Sequence, residues 1–323
     1  MKNIYDSLGV AEIAKRHPLS YFDIGSRGGF QSDLHPLAFA VDAVGFEPDP
    51  VEFERLKSRA PHPWKSTTFL PHGVSGQTGL QTLYIPTDPQ SASLLKHNVA
   101  IGEKFDKSQF FEIERTEDIQ TLCLKDAVHK TEFASIDFMK IDIEGAELSV
   151  LDSSVEVMND VLAVKTEVSF VPLRHDQPLA TDVDVFLRQV GFEFMDIIEP
   201  AHWRRHGYSI HPYYSAETPA YSKAQIMHAD HLYFRDPESL GNDISKLLKL
   251  SLVSMALGYF DHALMILERP DVTAHLNAEF KKSPIEIVAP ASKIYGRKAF
   301  LNAFYRQARN LVPFIRYARN LLR

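Results

Sequence analysis

The stretch DFMKIDIEGAELSVL, residues 137–151, decides the fold, because a short apolar run ends there on a group of acidic residues. Asp142 and Glu144 follow the run directly and lead into a predicted helix over 145–158. A strand, a turn and a helix form the repeating unit of α/β folds with a parallel sheet. Ligands bind such sheets beyond the carboxyl ends of the strands, so we expect Asp142 and Glu144 to face a ligand.

The composition is that of a globular chain with an acidic body and a basic end. Of the 323 residues, 45% are hydrophobic and 24% are charged, which is typical of folded domains. No acidic residue follows Glu286, whereas residues 287–323 hold eight basic residues. The remaining part has 27 basic and 42 acidic residues, and it therefore repels phosphates. We expect no nucleic-acid partner.

Several classes of protein are disfavoured by what the sequence lacks. Cys123 is the only cysteine, which rules out an internal disulfide framework and leaves a cysteine-based zinc site without ligands. The amino-terminal residues have no uninterrupted apolar core of the kind found in signal peptides. The sequence has no run of about 18 apolar residues, so no membrane-spanning helix is expected. We expect a cytoplasmic protein.

Periodicity predicts strands that alternate with helices. About seven core strands are expected, which implies an α/β fold with a mostly parallel sheet and helices on both faces. Residues 79–86 and 110–116 predict two strands of an insertion that pair with each other. A long loop is expected over 201–229, a segment rich in Tyr, His and Pro.

The pattern of the sequence changes near Pro237, and we place a domain boundary there. Residues 1–236 are predicted to form the α/β domain, which begins with a short helix within 1–18. Residues 237–323 are predicted to form a helical extension that breaks at 287–296 and ends in a basic amphipathic tail.

Two strand ends near the amino terminus indicate a nucleoside site. Gly25, Gly28 and Gly29 follow the first predicted strand, where glycine permits a tight turn and close approach of the backbone to a ligand. Glu47 ends the second strand, 24 residues after Asp23, where a carboxylate can accept hydrogen bonds from two ribose hydroxyls. The alternatives are a simple glycine-rich turn and a solvated loop carboxylate.

The spacing of the turn separates two nucleoside cofactors. Dinucleotide folds prefer G-x-G-x-x-G, and residues 25–30 read GSRGGF, which disfavours an NAD-dependent oxidoreductase. Asp23 suits a ligand with ammonium or sulfonium charges, and S-adenosylmethionine carries both charges and one ribose. A base-modifying methyltransferase is also disfavoured, because the sequence has no N/D-P-P-Y/F tetrapeptide and no Pro-Cys nucleophile.

Five motifs occur in the order typical of one family. They are YFDIGSRGGF at 21–30, GFEPDP at 45–50, HGVSGQTG at 72–79, SASLL at 91–95 and the quoted motif at 137–151. With them the chain resembles the FkbM family of S-adenosylmethionine-dependent O-methyltransferases from about Ser20 to Asp236. Family glycine turns usually read D-V-G-A-N-x-G, so Ser26 and Arg27 depart from the pattern. Arg27 is expected to contact the ligand, point outward or pair with a nearby carboxylate.

The resemblance implies a Rossmann-like class I methyltransferase fold and a position for each part of the cofactor. At the methionine end the implied contacts are Asp23, Gly25, Ser26 and Gly29. The ribose would be held by Glu47, and the adenine would lie near Gly73, Val74 and Ser75. Asp142 and Glu144 would lie beside the transferred methyl group.

The acceptor is expected to be a hydroxyl of a carbohydrate or of another small hydroxylated metabolite. A hydroxyl is a poor nucleophile, so a base should assist. The candidate bases are Asp142, Glu144, Glu167 at the end of the fifth strand, His72 and His175. Carboxylates at neighbouring strand ends could instead hold Mg²⁺. Aromatic residues of the 201–229 loop could stack on a sugar or simply pack, and Glu147 and Asp152 are expected on a solvated helix face.

The basic tail could have three kinds of partner. A helical wheel places one set of apolar residues opposite one set of arginines, namely Phe300, Phe304, Leu311, Ile315, Ala318 and Leu322 opposite Arg306, Arg309, Arg316 and Arg323. Residues 295–323 could lie on an anionic membrane surface, pack on the acidic body or pair with a second subunit in a homo-oligomer. Pro313 is expected to kink or interrupt the helix. A noncatalytic binding module tethered through this tail is the alternative to an enzyme.

Overall fold

The computed structural model describes residues 3–59, 63–131, 133, 135–208 and 223–321, with the backbone alone for 306, 307 and 309–321. Ten strands are described: β1 Leu19–Ile24, β2 Val41–Phe46, β3 Ser66–Leu70, β4 Gly73–Val74, β5 Gly79–Pro86, β6 Ile113–Leu122, β7 Phe138–Ile141, β8 Ala163–Ser169, β9 Phe192–Trp203 and β10 Gln225–Arg235. Eleven α-helices are described: α1 Gly9–Arg16, α2 Pro50–Lys57, α3 Val99–Phe105, α4 Leu124–His129, α5 Glu147–Asp152, α6 Val155–Met158, α7 Ala180–Gln189, α8 Ile244–Leu257, α9 Phe260–Leu267, α10 Pro270–Glu279 and α11 Pro284–Leu321.

Seven strands form one sheet in the order β3-β2-β1-β7-β8-β10-β9. All neighbours are parallel except β10, which lies antiparallel between β8 and β9. The predicted seven-stranded, mostly parallel sheet is therefore confirmed, and it is consistent with a Rossmann-like methyltransferase fold. The strand order reverses between β1 and β7, and ligands bind at such switch points, beyond the carboxyl ends of the strands.

Helices cover both faces of the sheet because the buried strands are apolar on both sides. In β1, Tyr21 belongs to the core on one face and Phe22 to the core on the other. The first core holds side chains of α1, α8, α9, α10 and the beginning of α11, and the second holds side chains of α4 to α7. The helices that follow residue 237 thus share one core with the sheet and with α1.

A small second sheet has the order β4-β6-β5. β5 and β6 pair antiparallel, which confirms the predicted pairing within the insertion, and β4 adds to β6 in parallel. Val74 belongs to the second core, so β4 ties the small sheet to the body of the protein.

Three predicted boundaries are wrong. The helix expected over 145–158 is divided at Ser153 and Ser154 into α5 and α6. Both ends of the loop expected over 201–229 are strand, since β9 and β10 pair as far as Trp203 and Gln225.

The expected break at 287–296 is the third error, because α11 continues through that segment. Ile287, Val288 and Ala291 are buried against the core, and this packing outweighs the hydrogen bond that Pro290 cannot donate. The helix also continues past Pro313 and is not interrupted there. Among the described residues, no helix is long and apolar enough to cross a membrane.

Candidate active site

A cavity of about 720 Å³ opens at the carboxyl ends of β1, β2 and β7, with the small sheet on its other side. This volume is within the range of small-molecule sites, about 300–1,000 Å³. Seven of the predicted site residues share its wall, namely Gly25, Gly29, Glu47, Gly73, Val74, Asp142 and Glu144. Strand ends that are distant in sequence therefore meet around one space.

The glycine turn after β1 requires glycine at its first position. Gly25 has φ +88°, and a Cβ on it would lie 1.9 Å from the backbone oxygen of Asp142. The rim is closed on both sides by backbone hydrogen bonds: Ser26 N donates to Phe46 O at 3.2 Å, and Asp142 N donates to Ile24 O at 3.0 Å. The backbone of β1, β2 and β7 thus forms one continuous edge under the cavity.

Glu47 lines the cavity although it is only 3% exposed. Its Oε1 accepts a hydrogen bond from Asp49 N at 2.9 Å, and this is the one hydrogen bond that the described residues make to its carboxylate. Burial raises the pKa of Glu47. Arg27, the departure from the family turn, pairs with Asp49 at 2.9 Å, which is one of the expected alternatives.

Lys140 was not predicted as a site residue, yet it organises the rim. Its Nζ lies 3.4 Å from Asp23 Oδ1 and 3.2 Å from Asp142 Oδ2, and it donates to Gly25 O at 3.2 Å. Asp23 is fully buried beneath the turn and does not line the cavity, contrary to expectation, because it faces Lys140. Burial raises the pKa of Asp23 to about 6, although Lys140 opposes the rise.

Glu144 has a left-handed backbone with φ +61°, which is unfavourable for a residue with a side chain. Two contacts hold it: Ser93 Oγ donates to its backbone oxygen at 2.8 Å, and the guanidinium of Arg174 pairs with its carboxylate. Arg174 is 1% exposed and also donates to Ser91 Oγ at 2.8 Å. The insertion before α3 is therefore anchored to the motif that follows β7.

Glu147 is buried, so its predicted place on a solvated helix face is wrong; Asp152 is exposed, as expected. Glu147 Oε1 accepts hydrogen bonds from Ile143 N at 3.1 Å and Gly145 N at 3.0 Å. Burial raises the pKa of Glu147 to about 7, although the two N–H groups oppose the rise. Glu147 thus holds the loop that presents Asp142 and Glu144.

Glu167 lies beside the cavity rather than in its wall, and it is paired with a histidine. His228 Nδ1 on β10 lies 2.8 Å from Glu167 Oε1 on β8. Oxygens of Asp142, Glu144 and Glu167 all lie within 4.8 Å of one another, an arrangement that could hold a cation. Burial raises the pKa of Glu167 well above its usual range, and Glu144 and Asp142 raise it further. Burial lowers the pKa of His228.

A family model described as the methyltransferase FkbM domain matches residues 29–194, which is half of the chain. The chain belongs to the FkbM methyltransferase family. No curated protein and no solved structure matches the chain significantly. Membership supports methyltransferase activity, and methyltransferases of this family generally use S-adenosylmethionine. The match includes Glu47, Asp142, Glu144 and Glu167.

Besides Asp23 and Glu167, four further predicted residues lie outside the cavity wall of this FkbM protein. Ser26 and Ser75 are buried behind the wall, and Ser75 Oγ donates to Gln77 O at 2.8 Å. His72 is partly buried and His175 is exposed, and neither lines the cavity. The pKa of His72 is lowered by burial. The structure therefore does not place either histidine in the cavity wall.

The aromatic residues of the predicted loop are only partly described. Trp203 packs against Phe105 and Phe111, and its ring also lies 6.0 Å from that of His228. Tyr208 is exposed, and Tyr213, Tyr214 and Tyr221 lie outside the described residues. Trp203 therefore packs next to the Glu167 and His228 pair.

Three residues that sequence reasoning missed are Lys140, Arg174 and His228. Lys140 carried a signal, because a lysine between apolar residues of a buried strand needs a counterion. Arg174 and His228 carried no local signal, since their partners Glu144 and Glu167 are 30 and 61 residues away.

Proposed function

We propose that this protein transfers the methyl group of S-adenosylmethionine to a hydroxyl of a carbohydrate or of another small hydroxylated metabolite. The observation that carries the proposal is the shared cavity: Glu47, suited to a ribose, and Asp142 and Glu144, suited to an acceptor, line one space. Family membership supports the methyl transfer itself.

The residues of the wall fit an adenosyl ligand. Glu47 would accept hydrogen bonds from the ribose through the oxygen that the described residues leave open. Gly25 and Gly29 allow the methionine end to approach the backbone, and Gly73 and Val74 would face the adenine. Asp49 forms an ion pair with Arg27 and offsets its positive charge, so Arg27 repels a cationic ligand less.

When bound, the cofactor supplies an electrophilic methyl group on a sulfonium. The protein must align the acceptor oxygen with that group, and well-oriented reactants gain up to roughly 7–11 kcal/mol. Asp142, Glu144 and Glu167 can each accept a hydrogen bond from an acceptor hydroxyl, so together they favour an acceptor with several hydroxyls.

The proton of the reacting hydroxyl would pass to Glu167. Among the three carboxylates, Asp142 is paired with Lys140 and Glu144 with Arg174, and both partners are permanent cations at neutral pH. The partner of Glu167 is His228, whose pKa is lowered by burial. Burial, together with Glu144 and Asp142, raises the pKa of Glu167, and a carboxylate with a raised pKa is a stronger base.

Mg²⁺ bound by Asp142, Glu144 and Glu167 is a second candidate for this part of the site. It is favoured by the closeness of the three carboxylates. Against it, each carboxylate already has a cationic or protonatable partner in the protein. A metal ion would have to compete with Lys140, Arg174 and His228, so we favour transfer assisted by Glu167 without a metal.

Calorimetric titration with S-adenosylmethionine and with NAD tests the cofactor. We expect binding of S-adenosylmethionine only, and about 10- to 100-fold weaker binding by Glu47→Ala, because hydrogen bonds to a charged group contribute roughly 1.5–3 kcal/mol. Glu54→Ala removes an exposed carboxylate from α2 and should bind normally. Equal affinity of the two variants would contradict the ribose role of Glu47.

Release of S-adenosylhomocysteine in the presence of a panel of glycosides and polyols tests catalysis. Turnover with a hydroxylated acceptor is the expected result. Normal cofactor binding without turnover on any acceptor would favour the noncatalytic binding module instead.

A further inference from the structure

The two ends of α11 have different surroundings. At its beginning, Ile287, Val288 and Ala291 are buried in the core shared with the sheet. Further along, Phe300 is 70% exposed and Phe304 is 60% exposed. Large aromatic side chains rarely stay in water without a partner when they cluster on one helix face. Phe300 and Phe304 therefore lack the cover that the beginning of α11 has.

The direction of the apolar face changes along the helix. Phe300 lies nine positions after Ala291, so at roughly 100° per residue the two side chains lie about half a turn apart. In the sequence, apolar residues continue at the spacing of Phe300 and Phe304, namely Leu311, Ile315, Ala318 and Leu322. Phe300 and Phe304 thus point away from the body that the first half of α11 contacts, and the sequence pattern continues on the same side.

The charge of this segment identifies the partner. Residues 287–323 hold eight basic residues and no acidic residue. Amphipathic helices with aromatic and aliphatic residues on one side and Lys or Arg on the other bind in the interface of anionic membranes. We propose that the distal part of α11, from Phe300 onward, docks the protein on an anionic lipid surface.

Two other partners fit less well. The helix's own acidic body lies on the side of Ala291, so it cannot cover Phe300 while the first half stays packed. A second copy that paired through the same face would bring two segments with only positive charges together. Anionic lipid satisfies the apolar face and the positive charges at once, and it would place the activity at the inner face of a membrane.

Co-sedimentation of the full chain with vesicles tests the proposal. We expect pelleting with phosphatidylcholine vesicles that contain phosphatidylserine, little pelleting with phosphatidylcholine alone, and release by high salt. The variant F300S/F304S should bind the anionic vesicles at least about tenfold more weakly, because it removes two apolar side chains from the docking face. The matched control L80S/V185S removes two exposed apolar residues elsewhere and should bind normally.

Three results would overturn the proposal. One is the absence of pelleting with anionic vesicles, and another is equal pelleting by the two double variants. The third is a dimer in sedimentation velocity that F300S/F304S abolishes, which would assign the face to a second copy. Thermal unfolding of each variant shows whether it is folded, and no arm of the experiment depends on methyl transfer.

Discussion

Carboxylates lie at two strand junctions along the same rim of the sheet, and the basic residue that pairs with them differs between the two junctions. Between β1 and β7, Asp23 and Asp142 share Lys140, which is 3% exposed. Between β8 and β10, Glu167 is paired with His228. A lysine keeps its proton at neutral pH, whereas a histidine exchanges its proton there. The first junction therefore keeps a fixed charge, and the second can take up or release a proton.

The pKa shifts follow the same division. Burial lowers the pKa of Lys140, but Asp23 and then Asp142 outweigh this effect and raise it. At the other junction the pKa of the carboxyl is raised and that of the imidazole is lowered, each mainly by burial. The two pKa values shift in opposite directions, and because the groups are in contact the pair titrates as a unit.

The largest effect is expected from Glu167→Gln, which removes the proton acceptor from the second junction. We expect kcat to fall by about 10²- to 10⁴-fold. The affinity for S-adenosylmethionine should not change, because Glu167 is not among the proposed cofactor contacts in the cavity wall. The measurement is steady-state kinetics beside calorimetry.

The pH profile gives this variant a second readout. Glu167 can accept the proton of the hydroxyl only when its carboxyl is ionised. The wild-type rate should therefore rise as pH increases through the raised pKa of Glu167. Glu167→Gln should lose that rise. If kcat stayed at the wild-type value with the same profile, proton transfer would have to be assigned elsewhere, and the two junctions would not differ in function.

The sequence alone predicts the site residues whose position depends only on neighbouring residues in the chain. Alternating strands and helices placed Glu47 and Asp142 at strand ends, and parallel strands bring such ends to one rim. Gly25 was found for the same reason, because the tight turn that follows a strand is a local event. These predictions need only the position of a residue within its own element.

The remaining parts depend on register and on distant contacts. Asp23 faces Lys140 because the two residues are partners in the β1–β7 pairing, and the sequence does not state that register. Glu147 was expected on a solvated face because charged helix residues are mostly exposed. It is buried instead, because two N–H groups of the loop before α5 donate hydrogen bonds to its carboxylate.

A smaller effect, on stability, is expected from Lys140→Met at the first junction. The substitution leaves Asp23 buried without its cation, which should lower the free energy of unfolding by about 3–5 kcal/mol. The pKa of Asp23 is already raised by burial and should rise further without Lys140. A carboxyl with a raised pKa costs most when it is forced to ionise, so the loss should be larger at pH 8 than at pH 5. Denaturant unfolding at the two pH values measures it.

The double variant Lys140→Met/Asp23→Asn is the matched control. It removes the buried charge together with its partner and should recover part of the lost stability. A loss that is the same at both pH values, and that the second substitution leaves in place, would show that Lys140 acts through packing and not through Asp23.

The smallest effect is expected from removal of divalent cations, and it decides whether the two junctions are independent. A metal ion among Asp142, Glu144 and Glu167 would join them, because Asp142 belongs to the first and Glu167 to the second. Lys140, Arg174 and His228 already hold these carboxylates, so we expect EDTA to leave the rate of methyl transfer unchanged. A rate that EDTA abolishes and Mg²⁺ restores would mean that the cation takes over the polarisation of the hydroxyl. In that case Glu167 would act as a ligand, and its loss would weaken metal binding before it changed the pH profile.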